Sequence, residues 1–322
     1  TPEGKVVYTN FLDEDGGVHA DLTISRLSSN SYRVVTGGAD GNRDWVTLRN
    51  YRDDNGLDAD INIRTHDIAT LGLWGPDAKK ALSHFIDPNE ISIENFPFVS
   101  AKNLSLNLTN GKKIDVWAAR ISYVGESGWE IYLDNNSEDG LALYDSLLEV
   151  GVIPVGIETY ANSRRLEKSF RLQGADLETD YNAIEAAIQR PLVKEADFHG
   201  KAAHLSHRNE DPCAVLCTMT LDDLNVSGDT RYPVGISPII DPATGEVPID
   251  SKGRRSYTTG MSYCPSVKKF VVMGYLPKEI AIQGKSLLIE YFNEDGDGLY
   301  PMTVEIVGKG SLYDPTNERV RI

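Results

Sequence analysis

The stretch Val6-Val7-Tyr8-Thr9-Asn10-Phe11-Leu12-Asp13-Glu14-Asp15-Gly16-Gly17-Val18-His19-Ala20-Asp21-Leu22-Thr23-Ile24 decides how the chain is read. Two runs rich in β-branched and aromatic residues flank an acidic, glycine-ended segment. That pattern predicts a strand over 4–12, a turn at 13–17 and a second strand over roughly 18–27. Residues 31–37 read as the hairpin partner of the second strand. Strict alternation places Asp21 on one face with His19 and Thr23, just before the apolar Leu22 and Ile24. On pattern alone the simpler reading of Asp21 is a solvated carboxylate at a strand end, with a functional carboxylate as its rival.

Working outward, Asp40–Asn50 has helical spacing with Trp45 and Leu48 on one face, and residues 67–74 read as a strand. Gly75-Pro76-Asp77 then opens a helix, with proline where a missing N–H costs nothing. Residues 114–123 and 128–133 read as strands around a tight Gly125-Glu126-Ser127-Gly128 turn. Residues 140–150 form an amphipathic helix with Leu143 and Leu147 in register, and another helix covers about 158–169. The polar run Ser206-His207-Arg208-Asn209-Glu210-Asp211-Pro212 reads as a linker. Beyond it come strands near 213–221, 255–263, 270–276, 285–292 and 300–307, which imply a small all-β barrel or sandwich. The expected class is therefore α+β: antiparallel sheets with flanking helices over 1–208, then a C-terminal β-barrel over 209–322.

Composition narrows the function. At 322 residues, with 40% hydrophobic and 25% charged residues, the chain is that of an ordinary globular protein of two domains. Its net charge of −16 argues against tracking nucleic-acid phosphates and against anionic membranes. No apolar run is long enough to span a bilayer, and no signal peptide precedes the first strand, so a cytoplasmic or organelle-matrix setting is expected. Three cysteines, Cys213, Cys217 and Cys264, make no disulfide framework and read as core thiols.

Common motifs are absent. No G-x-G-x-x-G opens a helix after a strand, so no flavin or nicotinamide domain is recognisable in this chain. Asn293, Asp295, Asp297 and Gly298 imitate the start of a calcium loop, but position 12 is Val304, and a hairpin turn is the better reading. His204 and His207 have no third ligand at a familiar spacing and read as surface histidines, so no metal is expected. Glu130, between Trp129 and Ile131 after the glycine turn, has two readings left open. It is solvated, or it accepts two parallel N–H bonds from an aminopyrimidine edge.

Taken together these segments resemble the aminomethyltransferase family, which includes the glycine-cleavage T-protein and the folate-binding halves of dimethylglycine and sarcosine dehydrogenases. The resemblance rests on Val7-Tyr8-Thr9-Asn10 with Gly16-Gly17 and Asp21-Leu22, on Leu71-Gly72-Leu73-Trp74-Gly75-Pro76-Asp77, and on Ile121–Glu130. It continues through Arg165-Leu166-Glu167-Lys168, Phe198-His199-Gly200-Lys201 and Cys264-Pro265-Ser266-Val267-Lys268-Lys269 with Met273-Gly274-Tyr275-Leu276-Pro277. It implies tetrahydrofolate as ligand and Asp21 as the catalytic carboxylate, with Tyr8, Thr9, Tyr123 and Glu130 binding the folate.

Ala161, where glycine-cleavage enzymes usually carry arginine, resembles the dehydrogenase branch, as does Leu312-Tyr313-Asp314-Pro315-Thr316-Asn317-Glu318-Arg319. The resemblance then implies formation of 5,10-methylene-tetrahydrofolate from an N-methyl-derived iminium or formaldehyde. FAD would sit on another domain or chain, a flavin-containing partner. In the family several tens of residues precede the strand that begins here at Lys5, so the resemblance implies a folate domain lacking its N-terminal part, with unpaired strand edges. The alternatives are a glycine-cleavage aminomethyltransferase and a non-catalytic folate-binding assembly module. Leu172-Gln173-Gly174-Ala175-Asp176-Leu177 departs from the signature of the latter.

Overall fold

The structure is a computed structural model, which describes residues 1–134, 137–221, 235–293 and 296–321. The chain divides into two compact units. One holds residues 1–9, 21–155 and 316–322, and the other holds 10–20 and 156–315.

Three antiparallel strands open the chain: β1 (Val6–Leu12), β2 (Val18–Arg26) and β3 (Tyr32–Thr36), in that order in the sheet. β2 and β3 pair from Leu22 opposite Thr36 to Arg26 opposite Tyr32. Helix α1 (Gly41–Asp54) follows. Trp45 and Leu48 are half-buried in it, and its buried residue is the acidic Asp44. The helix therefore turns a carboxylate inward, where the spacing alone pointed to its apolar side chains.

The rest of the first unit is built on a four-stranded antiparallel sheet of order β4-β7-β6-β5: β4 (Ile68–Trp74), β5 (Ser100–Asn107), β6 (Lys113–Arg120) and β7 (Gly128–Asp134). Helices α2 (Ala78–Leu82) and α3 (Ser137–Glu149) complete it. One face of the sheet buries Leu104, Leu106, Val116, Ile131 and Leu133 with Phe85, Phe96, Trp129, Leu143 and Leu147. Each such side chain, fully buried, stabilises the fold by about 1.5–3 kcal/mol. On the other face a smaller cluster joins Val6 to Ala101, Ala119 and Tyr132, with Val35 and Trp117 packed against it. β5 has the alternation of a half-buried strand, with Leu104 and Leu106 inward and Asn103 and Ser105 outward.

In the second unit the helix expected over 158–169 is shorter and differently wound. A π-helical segment, Glu158–Arg164, runs into one α-turn, α4 (Arg165–Glu167). α4 ends in a polar core: Arg165 and Asp176 are 1% and 0% exposed and paired, and Thr259 also bonds Asp176. A further helix, α5 (Lys201–His207), includes the first two residues of the polar run 206–212. His204 in it is buried rather than on the surface, because it packs edge-on against Phe198 with ring centroids 6.3 Å apart.

The remaining strands are β8 (Ala214–Leu221), β9 (Ile239–Ile240), β10 (Thr258–Cys264), β11 (Lys269–Pro277), β12 (Ser286–Asn293) and β13 (Gly296–Val307). They form a curled antiparallel sheet of order β10-β11-β8-β13-β12-β9. Its interior is apolar, with Met219, Ile239, Met261, Val272, Leu287 and Val304 in one cluster. Cys217 and Cys264 are buried, Cys213 is half-buried, and all three thiols are free. Of the calcium-loop imitation, Asp295 lies outside the described residues.

Candidate functional site

Asp21 sits on β2 between the buried Ala20 and Leu22, so strand alternation turns it to the half-buried face. From the neighbouring β1 the Tyr8 hydroxyl donates to Oδ2 of Asp21 at 3.2 Å. Burial holds the Asp21 carboxyl above its ordinary value of 3.8; the Tyr8 bond opposes the rise, and the charges of Asp40 and Asp44 add to it. Thr9, the next residue of β1, is half-buried and alternates to the strand's other face.

Glu130 lies on β7 opposite Gly72 of β4 and Ala119 of β6. Two residues on, and therefore on the same face, the Tyr132 hydroxyl donates to Oε2 of Glu130. Burial raises the Glu130 carboxyl and this hydrogen bond opposes it. Its other oxygen, Oε1, accepts no hydrogen bond from a described residue. Tyr132 is the partner that sequence reasoning missed; its position two residues from Glu130 on a strand was the available signal.

Tyr123 is half-buried in the connection 121–127 between β6 and β7. The Gly125–Gly128 turn belongs to this longer connection, since β6 stops at Arg120. Gly128 faces Trp74 in the β4–β7 pairing, and a Cβ placed there would lie 2.0 Å from the Leu73 carbonyl oxygen. Only glycine allows the two backbones this close. Trp74 Nε1 donates to the Ile121 carbonyl at 2.8 Å, fixing the start of the connection that carries Tyr123.

Arg33 of β3 lies with its guanidinium 4.2 Å from the Trp117 ring centroid and 5.5 Å from that of Tyr132. This cation–π stack holds in place the tyrosine that binds Glu130. The structure thus makes two pairs, Tyr8 with Asp21 and Glu130 with Tyr132, all four residues within the first unit. Among the described residues no group of three or more His, Cys, Asp or Glu is placed to hold a metal, and no helix is long and apolar enough to cross a membrane.

Comparison with known proteins agrees with this arrangement of strands and motifs. The model of the GCVT N-terminal domain matches residues 1–195. Human mitochondrial dimethylglycine dehydrogenase is 30% identical over 98% of this chain, and the rat enzyme is 31% identical. The chain spans about a third of the length of those two relatives, 34% and 35%. The aminomethyltransferase of Symbiobacterium thermophilum is 28% identical over 88% of this chain and 74% of its own length. Among solved structures, the glycine cleavage system aminomethyltransferase T from Bartonella henselae superposes with a TM-score of 0.72 at 22% identity. That match covers 95% of this chain and 76% of the other, and the two share a fold. The chain belongs to the GCVT family, as a homologue of dimethylglycine dehydrogenases and bacterial aminomethyltransferases.

Proposed function

We propose that this chain is a tetrahydrofolate-binding, one-carbon-transfer module of the dimethylglycine or sarcosine dehydrogenase kind, with Asp21 as its catalytic carboxylate. The observation that carries the reading is Asp21 itself: a half-buried acid whose proton affinity is raised by burial and whose Oδ2 is held by Tyr8. A raised carboxylate of this kind suits proton transfer to or from a bound amine, a contribution typically of about 10²–10⁴-fold.

The residues present fit a reduced pterin. Glu130 keeps one acceptor oxygen open while Tyr132 fixes the other, which leaves a carboxylate edge for ring N–H groups. Glu130, Tyr123 and Tyr8 would hold the ligand with their side chains, and Thr9, whose side chain alternates to the other face of β1, would contribute through its main chain. Tetrahydrofolate, when bound, would supply the nucleophilic nitrogen that takes up an N-methyl-derived iminium or formaldehyde, with the amine or water leaving, to give 5,10-methylene-tetrahydrofolate. Asp21 accepts the proton lost by the attacking nitrogen and passes it to the departing amine or water, while Tyr8 keeps its carboxylate oriented. FAD and the oxidation of the amine belong to another domain or chain.

The same proposal divides the chain into a folate-binding part over 1–208 and a C-terminal β-barrel over 209–322. Support for closure of the curled sheet comes from its two ends. Pro238, next to β9, bridges Tyr257, next to β10, and Ile236 N donates to the Thr258 carbonyl at 2.7 Å.

A glycine-cleavage aminomethyltransferase is the second reading, favoured by the 74% share of the bacterial relative that is covered. Ala161, in the place of that branch's usual arginine, speaks for the first. The test is calorimetric titration with tetrahydrofolate, followed by trapping of formaldehyde as methylene-tetrahydrofolate. Saturable binding with accelerated trapping is expected; no binding at millimolar folate would end the reading.

A further inference from the structure

The connection from β3 into α1 runs beside Asp21. The ladder ends where Leu22 pairs with Thr36, so Asp21 and Gly37 are the residues next to that last pair, and Gly37 begins the connection. Three features fix this connection. Thr36 donates its hydroxyl to Oδ2 of Asp44, a carboxylate whose residue is 1% exposed. Asp40 folds back over Gly37: Asp40 N donates to the Gly37 carbonyl at 3.0 Å, and a Cβ on Gly37 would lie 2.6 Å from Asp40 Oδ2. Arg43 bridges the two acids, with Nη1 3.2 Å from Asp40 and Nη2 3.0 Å from Asp44.

A burying helix would ordinarily present apolar side chains, yet Asp44 is the residue that α1 buries. An inward carboxylate costs stability unless it is paired, and here its partners are a strand-end threonine and an arginine shared with Asp40. Such an arrangement fixes geometry and charge together.

We propose that Asp40 and Asp44, tied by Arg43, are positioning residues for Asp21: they pin the end of β3 against it and place negative charge beside it. This rests on the reading of Asp21 as the catalytic carboxylate but can be tested apart from it. Burial is the largest influence on Asp21 and disfavours its ionised form; the Tyr8 hydroxyl from β1 favours that form, and Asp40 and Asp44 from the β3–α1 segment add to the effect of burial. On its own strand His19 and Thr23 share its face by alternation. The two acids thus serve to keep Asp21 a stronger proton acceptor than a lone carboxylate, while Arg43 keeps them from repelling one another apart.

The experiment is carbon-13 NMR titration of aspartate carboxyls in the intact chain, with the Asp21 signal identified by its loss in Asp21→Asn. Asp40→Asn and Asp44→Asn are each expected to move the Asp21 midpoint to lower pH, and Tyr8→Phe to move it to higher pH. An unmoved or raised midpoint in both acid variants overturns the proposal. If Asp44→Asn does not fold, Asp40→Asn, at an outer position of the network, decides alone. The titration reads no activity. A shifted midpoint together with full folate-dependent turnover in Asp21→Asn would retain the positioning and reject the catalytic reading, and the reverse pattern would do the opposite.

Discussion

The Tyr8 hydroxyl donates to Oδ2 of Asp21 at 3.2 Å, from one strand of the opening sheet to the next. The residues are 13 apart in sequence and are brought together because the acidic turn between them closes the β1–β2 hairpin. There Asp13 accepts from Gly17 N at 2.7 Å. The pairing orients the carboxylate and opposes the rise in proton affinity that burial imposes.

Asp21 carries a stability cost that depends on pH. Its folded-state proton affinity is raised, so its contribution is most favourable below the unfolded value of 3.8 and is lost as pH rises through the folded value. Asp21→Asn should therefore stabilise the protein at pH 7, on the order of 1 kcal/mol, with the gain vanishing toward pH 3. Thermal melts across that range check it; an equal effect at both ends contradicts it.

Glu130 should govern ligand affinity. Replacing it with alanine strips a half-buried, hydrogen-bonded carboxylate from its ligand and should weaken folate binding by roughly 2–5 kcal/mol. Tyr132→Phe, which leaves Glu130 without its donor, should weaken binding by less, about 0.5–1.5 kcal/mol. Calorimetry on both variants measures the ranking, and unchanged affinity in Glu130→Ala removes the residue from the site.

Gly128→Ala should be among the most damaging single changes near the site. The added carbon would meet the Leu73 carbonyl oxygen at 2.0 Å and Trp74 backbone at 2.8 Å, neither of which can yield without parting β4 from β7. A loss of several kcal/mol, seen as insolubility or a collapsed melting transition, is expected. A wild-type melting curve would show that the two strands are less close than described.

In the second unit, Asp176→Asn should cost about 3–5 kcal/mol, because it leaves the fully buried Arg165 without its ion-pair partner. Replacing the pair together with apolar residues should cost less. Denaturant unfolding of the single and double variants separates the two outcomes.

How much of this was readable from the chain varies with the element. The hairpin around the acidic turn and the five C-terminal runs, apolar or β-branched and bounded by turn residues, formed as strands. β5 was overlooked although Leu104 and Leu106 alternate with Asn103 and Ser105. Its polar, lysine-bearing start hid a strand that is exposed on one face. The α1 helix was readable, but helical spacing ranks apolar residues and gave no sign of the inward Asp44, which is held by Thr36 and by the adjacent Arg43. The π-helical turn at 158–164 leaves no periodic mark, since one wider turn shifts the register without changing composition. At the site, alternation fixed the face of Asp21 but carried no information about Tyr8 reaching it. Tyr132 and Asp40 became visible as neighbours only once strand pairing and the β3–α1 connection were in place.

The catalytic assignment of Asp21 is tested most directly by single-turnover trapping of formaldehyde by tetrahydrofolate in Asp21→Asn beside the parent chain, with folate affinity measured in parallel. The account predicts that methylene-tetrahydrofolate formation falls by about 10²-fold or more while folate affinity stays within several-fold. Equal rates in variant and parent at saturating folate would contradict it.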